Sequence, residues 1–271
     1  MNPFFSVIIP THNRANMLRQ AIQSVIDQTV DEWEVLIIDD GSTDNTKEVI
    51  QDFKDSRIHY YYQENKERSA ARNLGIQKAV GMYVCFLDDD DYFLGNHFEV
   101  LQKEIHKEAY PIGIFRTGMI TKHGDKEKRS PFYSHKSSSH PIPFFLENMV
   151  GIHTLCYHRN ILSKYTYDER WHHFQDTHLL IRCLLEFPFF QIHEHTAIYM
   201  RYPEMGSISI FRLDNAETRT ENNVNAIKDL FYQGDVELLK YVPAKMESYL
   251  VAKKYLDHAN GSLYVGRRKL A

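Results

Sequence analysis

Apolar residues in this chain fall into short unbroken runs separated by stretches with helical spacing. Phe5-Ser6-Val7-Ile8-Ile9 is the first run and reads as a strand closed by Pro10. Met17, Leu18, Ala21, Ile22, Val25 and Ile26 then recur every three or four residues, as on the buried face of a helix. Val35-Leu36-Ile37-Ile38 is a second run, stopped by Asp39-Asp40-Gly41. Asn45 followed by Glu48 has the form of a capping box, and Val49, Ile50 and Phe53 supply the stripe of the helix it would open. Ile58 to Tyr62 predicts a third strand and Ser69 to Val80 a helix. Tyr83-Val84-Cys85-Phe86-Leu87 predicts a fourth strand, which runs directly into Asp88-Asp89-Asp90-Asp91. Phe98, Leu101 and Ile105 mark another helix, and Ile112 to Phe115 another strand.

Strands alternating with helices imply βαβ units and a mostly parallel sheet. Unbroken rather than alternating hydrophobicity agrees, because helices cover both faces of such a sheet. Residues 121–141, rich in Lys, Ser, His and Pro, break the pattern and read as a flexible excursion. From Asn215 the spacing is helical again. Pro243 opens a segment with Met246, Tyr249, Leu250 and Leu256 on one face, closed by Gly261. The reading is a domain over 1–214, with halves at 1–117 and 142–214, and a helical C-terminal extension over 215–271.

Composition changes this picture little. The 32 Lys and Arg against 36 Asp and Glu give a formal charge of −4, which excludes a basic nucleic-acid footprint. Three cysteines without paired spacing offer neither a zinc site nor a redox motif and fit a reducing compartment. The first residues lack the charged and apolar regions of a signal peptide, and no stretch approaches the length of a membrane span. A cytoplasmic protein is expected, with room for contact at the inner face of a membrane.

The candidate chemistry sits at the strand ends. Open α/β sheets bind ligands beyond the carboxyl ends of their strands. Four aspartates there repel one another unless a cation is shared, and oxygen-only ligands suit Mg²⁺ or Mn²⁺. Neither a Gly-x-Gly-x-x-Gly nor a P-loop follows the first strand, which argues against a dinucleotide site. Taken singly, each feature has a plainer reading: Asp40 as a turn residue before Gly41, Asp91 as the cap of the next helix, Asp176 as a helix cap before Leu179, Leu180 and Leu184.

In combination they resemble a family. Ser6-Val7-Ile8-Ile9-Pro10-Thr11-His12-Asn13-Arg14, Ile38-Asp39-Asp40-Gly41-Ser42-Thr43-Asp44, Ser69-Ala70-Ala71-Arg72-Asn73-Leu74-Gly75 and Phe86-Leu87-Asp88-Asp89-Asp90-Asp91 are similar, in order, to the motifs of family 2 glycosyltransferases of the GT-A fold. Phe174-Gln175-Asp176-Thr177 resembles that family's Glu-Asp helix, and the likeness runs from about Ser6 to about Ser209.

The resemblance implies a metal-dependent, inverting transfer of sugar from a nucleoside diphosphate, UDP first, to an acceptor hydroxyl in polysaccharide or glycolipid synthesis. It implies a nucleotide site of Pro10, Thr11, His12, Asn13, Arg14, Asp40, Arg68, Arg72, Asp88 and Asp89. Asp40 would accept from the base N–H, His12 would stack on the base, and Asp88 would face the ribose. Asp90 would hold Mn²⁺ or Mg²⁺, and Asp176 would be the general base. His153 and Thr154 are acceptor-site candidates, and the acceptor would be a saccharide or lipid-linked.

Two departures stand out. Gln175 replaces the family's Glu, which should lower the pKa of Asp176. In Arg201-Tyr202-Pro203, Pro203 falls where many relatives carry a metal-side His. A catalytically silent nucleotide-sugar binder and a sugar-1-phosphate nucleotidyltransferase are the rival readings. The second would need a Gly-rich basic loop after the first strand. His172-His173 resembles a metal pair, but adjacent side chains point apart. Arg267-Arg268-Lys269 carries too little charge to anchor a membrane contact alone.

Overall fold

A computed structural model describes residues 3–134, 139–148, 150–201, 216–232, 236–243 and 245–256. In chain order the first half runs β1 (Phe5–Thr11), α1 (Ala15–Ile26), β2 (Trp33–Asp40), α2 (Thr46–Gln51), β3 (Ile58–Gln63), α3 (Glu67–Lys78), β4 (Tyr83–Phe86), β5 (Tyr92–Phe93) and α4 (His97–Lys107). The rest is β6 (Ile114–His123), β7 (Lys126–Arg129), α5 (Ile142–Glu147), a 3-10 turn (Ile152–Thr154), β8 (Leu155–His158), α6 (Arg159–Lys164), α7 (Gln175–Leu184), β9 (Phe189–Met200), α8 (Ala216–Tyr232) and α9 (Val236–Leu239). A further helical stretch covers 246–256.

The strands form one sheet in the order β3-β2-β1-β4-β8-β6-β9-β5, with β7 paired to β6. The first four are parallel; β8 runs against β4 and β6, β9 is parallel to β6, and β5 runs against β9. This is the mixed, mostly parallel α/β sheet expected. Alternation along the strands divides its core. Ile8, Leu36, Ile38, Val84 and Phe86 face one side with residues of α3 and α7. Val7, Ile9, Val35, Ile37 and Cys85 face the other, against α1 and α4. On the first side α3 lies so close to β1 that a Cβ at Gly75 would come 2.4 Å from Ile8 Cγ2. All three cysteines are buried and unpaired. Among the described residues no helix is long and apolar enough to cross a membrane.

Several expectations need correction. Pro10 lies inside β1 rather than closing it. The Ile8 carbonyl accepts from the Leu87 N–H, so Ile8, and Pro10 two residues on, face β4. Pairing with β4 ends at Ile8, and the missing N–H of Pro10 breaks no ladder bond. Asn45 makes no side-chain cap on α2. Asp44 does that work, accepting from the N–H (3.1 Å) and hydroxyl (2.5 Å) of Thr46 and from the Ala15 N–H (3.2 Å). The strand expected at 112–115 starts at Ile114 and continues to His123, so part of the supposed excursion is a hairpin with β7. Met246 and Leu250 are buried as expected, whereas Tyr249 and Leu256 are 51% and 60% exposed, so the buried stripe is narrower. Ile227, Leu230, Leu238, Met246 and Leu250 share one hydrophobic cluster with Leu179 and Leu180 of α7. The boundary drawn at 214, Pro203, Gly261 and Arg267-Arg268-Lys269 lie outside the described residues.

Candidate active site

The chain passes from β1 to β2 and β3 on one side, then places β4 on the other side of β1. That reversal opens a crevice at the carboxyl ends of β1 and β4, where open α/β sheets take ligands. A cleft of about 380 Å³ lies there, walled by residues that include His12, Asp40, Arg68, Arg72, Asp88 and Asp90.

One end of the cleft is built from the turns after β1 and β2. Asn13 Oδ1 accepts from the Thr43 N–H (2.7 Å), and the Asn13 N–H donates to Ser42 Oγ (2.9 Å), so the two turns brace each other. Gly41 adopts φ +82°, and a Cβ there would meet the Asn65 backbone nitrogen at 2.8 Å, so only glycine fits this turn. Asp40 is buried at the end of β2, and its Oδ1 accepts from Gln63 Nε2 (2.6 Å) and the Lys66 N–H (2.9 Å). His12 is exposed at the cleft, its Nδ1–H donating to the Asp40 carbonyl at 2.8 Å.

The aspartate run fans out rather than forming a solvated turn. Asp89 is buried, accepting from the Thr11 hydroxyl (2.7 Å) and from Arg14 (3.0 Å). Arg14 also donates to Asp90 at 2.9 Å. Asp91 does not cap the next helix: β5 intervenes and Asn96 precedes α4. Its carboxylate turns inward instead, accepting from the Met200 N–H (2.9 Å), with His153 Nδ1 3.1 Å away. Burial and crowding push these acids up: Asp89 to about 7 and Asp91 to about 6, burial leading in both, while Arg14 and His153 respectively oppose it. Asp90 is raised by burial and by Asp88. Asp88 moves the other way, because Arg72 and Arg68 outweigh its burial.

Asp176 arrives from α7, 88 residues beyond Asp88 in the chain. Arg72, 1% exposed and on α3, donates one nitrogen to Asp88 (2.6 Å) and another to Asp176 (3.0 Å). Its guanidinium also lies 5.2 Å from the centre of the Tyr167 ring. Asp176 is not the cap of α7; it is the second helical residue, after Phe174. Burial raises the pKa of Asp176 above the ordinary carboxylate range, with Arg72 opposing it. Phe174 sits at φ 66°, Glu67 before Arg68 at 71° and Asn13 before Arg14 at 53°. Three left-handed, non-glycine residues thus stand within two positions of Arg14, Arg68 and Asp176, where the surrounding fold holds such strain.

Of the acceptor candidates, His153 is buried and lines a second cavity together with Asp176. Thr154 spends its hydroxyl on the Gly151 carbonyl (2.6 Å) and does not line that cavity. His173 lines the same cavity and His172 does not, as expected of adjacent residues. Asp91's inward role, Tyr199, and Arg219, Lys253 and Lys254 on the same walls carried no recognisable local signal in the sequence.

Arg72 gives a direct test of this geometry. Arg72→Met removes the buried cation shared by two partly exposed carboxylates and is expected to cost about 1.5–3 kcal/mol of unfolding free energy, the value of hydrogen bonds to charged groups. Equilibrium denaturation in the presence of chelator measures it. An unchanged midpoint would mean that the bridge contributes nothing.

The family model described as Glycosyl transferase family 2 matches residues 6–169. Over 244 residues the chain is 29% identical to the GalNAc(5)-diNAcBac-PP-undecaprenol beta-1,3-glucosyltransferase of Campylobacter jejuni, covering 88% of this chain and 74% of that protein. It is 50% identical over 106 residues to an uncharacterized glycosyltransferase of Rickettsia felis, covering 39% of this chain and 18% of that protein. The chain thus spans less than a fifth of that relative's length in the match. Among solved structures it is similar to Staphylococcus aureus TarS in complex with UDP-GlcNAc, with TM-score 0.69 and 18% identity over 94% of this chain and 72% of that one. It is also similar to the mannosyltransferase PcManGT of Pyrobaculum calidifontis in complex with GDP-Man and Mn²⁺, with TM-score 0.64 and 16% identity over 94% and 70%. At these identities the likeness is one of fold: GT-A.

Proposed function

Since the chain belongs to glycosyl transferase family 2, we propose that it moves a sugar from a nucleoside diphosphate, UDP first, to an acceptor hydroxyl with inversion. The observation that carries this reading is the Arg72 bridge. It holds the candidate base Asp176 beside Asp88, so acceptor and donor sides meet around one buried cation.

In this reading Asp40 accepts from the base N–H, an acceptor-only carboxylate favouring uracil or guanine. Asp88 faces the ribose, and Arg68 and Arg72 lie against the diphosphate. Asp176 takes the proton of the acceptor hydroxyl as that oxygen bonds to the anomeric carbon. The bond from that carbon to the phosphate oxygen breaks on the opposite face, and its electron pair leaves with the nucleoside diphosphate. The arginines offset the charge that develops there.

The residues fit a divalent metal. Asp88, Asp90 and Asp91 each offer a carboxylate oxygen, all within 4.8 Å of one another, and burial, with the crowding of neighbouring acids, raises the pKa of Asp90 and Asp91. Such oxygen donors suit Mn²⁺ or Mg²⁺, with Asp90 the principal ligand. When bound, the ion adds to the charge stabilisation on the leaving diphosphate.

The Campylobacter jejuni relative is named for a lipid-diphosphate-linked substrate. Carried to this chain, that suggests a saccharide or lipid-linked acceptor in polysaccharide or glycolipid assembly, met at the cytoplasmic face of a membrane. Residues 1–214 would form the catalytic unit, and 215–271 would complete its acceptor side. Calorimetry with UDP, GDP and ADP in Mn²⁺ tests the donor reading. UDP is expected to bind best, and Asp40→Asn to weaken it by about tenfold or more, the value of a hydrogen bond to a charged acceptor. Equal binding of ADP, or no effect of Asp40→Asn, would sink the assignment of the base site.

A further inference from the structure

A second cavity of about 480 Å³ opens beside the first, the two sharing Arg68, Asp88 and Tyr199. Its floor carries Asp176 and Asp91. Its walls carry Arg68 from α3, Arg219 from α8, and Lys253 and Lys254 from the helical stretch 246–256. Three separate elements therefore bring four cations to one concavity, together with His173. Their closeness has a cost: burial and then the charge of Arg68 lower the pKa of Arg219. Burial, followed by Arg219 and Arg68, depresses His173 to about 4. Of the acids on the same walls, Asp88 and Asp176 are bonded to Arg72, Asp91 faces His153, and Glu147 stands on the rim beside Lys253. The Lys253 ammonium donates to the Glu147 carbonyl at 3.1 Å, and that of Lys254 lies 5.7 Å from the Phe174 ring centre. Lys253 is thus drawn to the end of α5, and Lys254 to the residue that precedes α7.

We infer that this second cavity is an anion subsite: the acceptor carries a phosphate group, seated among Arg219, Lys253 and Lys254, while its hydroxyl reaches Asp176. The inference rests on the transferase reading above and deepens it by naming the acceptor's chemistry. The donor diphosphate does not account for these groups, because Arg219, Lys253 and Lys254 line the second cavity and not the first. A tetrahedral, multiply charged anion matches cations that converge from several directions, and in a half-buried site charge-assisted bonds are the strong ones. The phosphate belongs either to a lipid headgroup or to a phosphorylated glycan; the subsite would read the same oxygens in both.

The test is a binding titration of the full chain saturated with UDP and Mg²⁺. The probes are glucose 1-phosphate, geranyl phosphate and uncharged methyl glucoside. Both phosphates are expected to bind with UDP in place, at least about tenfold tighter than methyl glucoside. The double variant Lys253→Ala/Lys254→Ala, and separately Arg219→Gln, should weaken phosphate binding by about tenfold while UDP affinity changes less than about twofold. The lysine pair is the safer variant for folding, and retained UDP binding confirms a folded protein. Tighter binding of geranyl phosphate assigns the anion to a lipid, and tighter binding of glucose 1-phosphate to a glycan. Phosphates that displace UDP, that bind no better than methyl glucoside, or that ignore both variants overturn the inference. Failure of UDP itself to bind overturns the donor reading instead; the same phosphate titration without nucleotide then still decides the subsite.

Discussion

Asp176→Asn is expected to lower sugar transfer by about 10²–10⁴-fold, the usual contribution of a general base, with UDP affinity preserved. The amide is nearly isosteric, and its oxygen can still accept from Arg72, so the bridge of α3 to α7 survives. On the proposed reading, what is lost is the group that would take the acceptor proton. The same carboxyl sets a pH dependence. Burial raises its pKa, and it acts only when ionised, so the wild-type rate falls as pH drops through a value above the ordinary 3.9 or so of aspartate. In the variant that acid limb should vanish along with most of the rate. Initial rates across pH, with calorimetry of UDP as the control, check both statements. A variant that turns over normally would show that Asp176 is not the base.

Asp90→Ala is the second large effect. With Asp88 and Asp91 it completes the set of carboxylate oxygens that lie within 4.8 Å of one another. Arg14 spans Asp89 and Asp90, and its bond to Asp89 remains in the variant, so the turn after β4 keeps its anchor. The expected loss is therefore in metal affinity and turnover rather than in folding. Metal stabilisation of a leaving diphosphate is worth several kcal/mol, so turnover should fall about 10²-fold or more. Chelator should reduce wild type to the level of the variant and lower the variant no further. Equal metal affinity in the two proteins would move the ion to other residues.

The half of the fold that builds the first cleft was legible because β1, β2 and β4 are buried on both faces and therefore continuous in apolar residues. The later strands were not. β9 interleaves Gln191, His193, Glu194 and His195 with its apolar residues, and part of it is exposed, so neither periodicity stands out. β6 buries Arg116 and Thr117, polar residues that mask its length. At α2 the local rule chose Asn45, whereas Asp44 reaches both the Thr46 N–H and the start of α1, a tertiary tie that no short window contains.

The site divides in the same way. Asp40, Arg72, the aspartate run and Asp176 stand in recognisable motifs, and the structure gathers all of them around neighbouring cavities. The Arg72 to Asp176 bond joins residues 104 apart and was invisible in sequence. Within the run, nothing in the sequence marked the partners that set the acids apart: Thr11, Arg14, Arg72, Met200 and His153 give each a different environment. Arg219, Lys253 and Lys254 stand in no motif, and only the placing of α8 and the stretch 246–256 brings them to the cavity that Asp176 also lines.

The measurement that tests the account most directly is nucleotide release from a panel of UDP- and GDP-sugars, with Mn²⁺ or Mg²⁺ and with chelator. The account predicts metal-dependent release from one UDP-sugar, lost on chelation and in Asp90→Ala. Release that proceeds equally well in chelator, or a protein that neither turns over nor binds any nucleotide sugar, would contradict it.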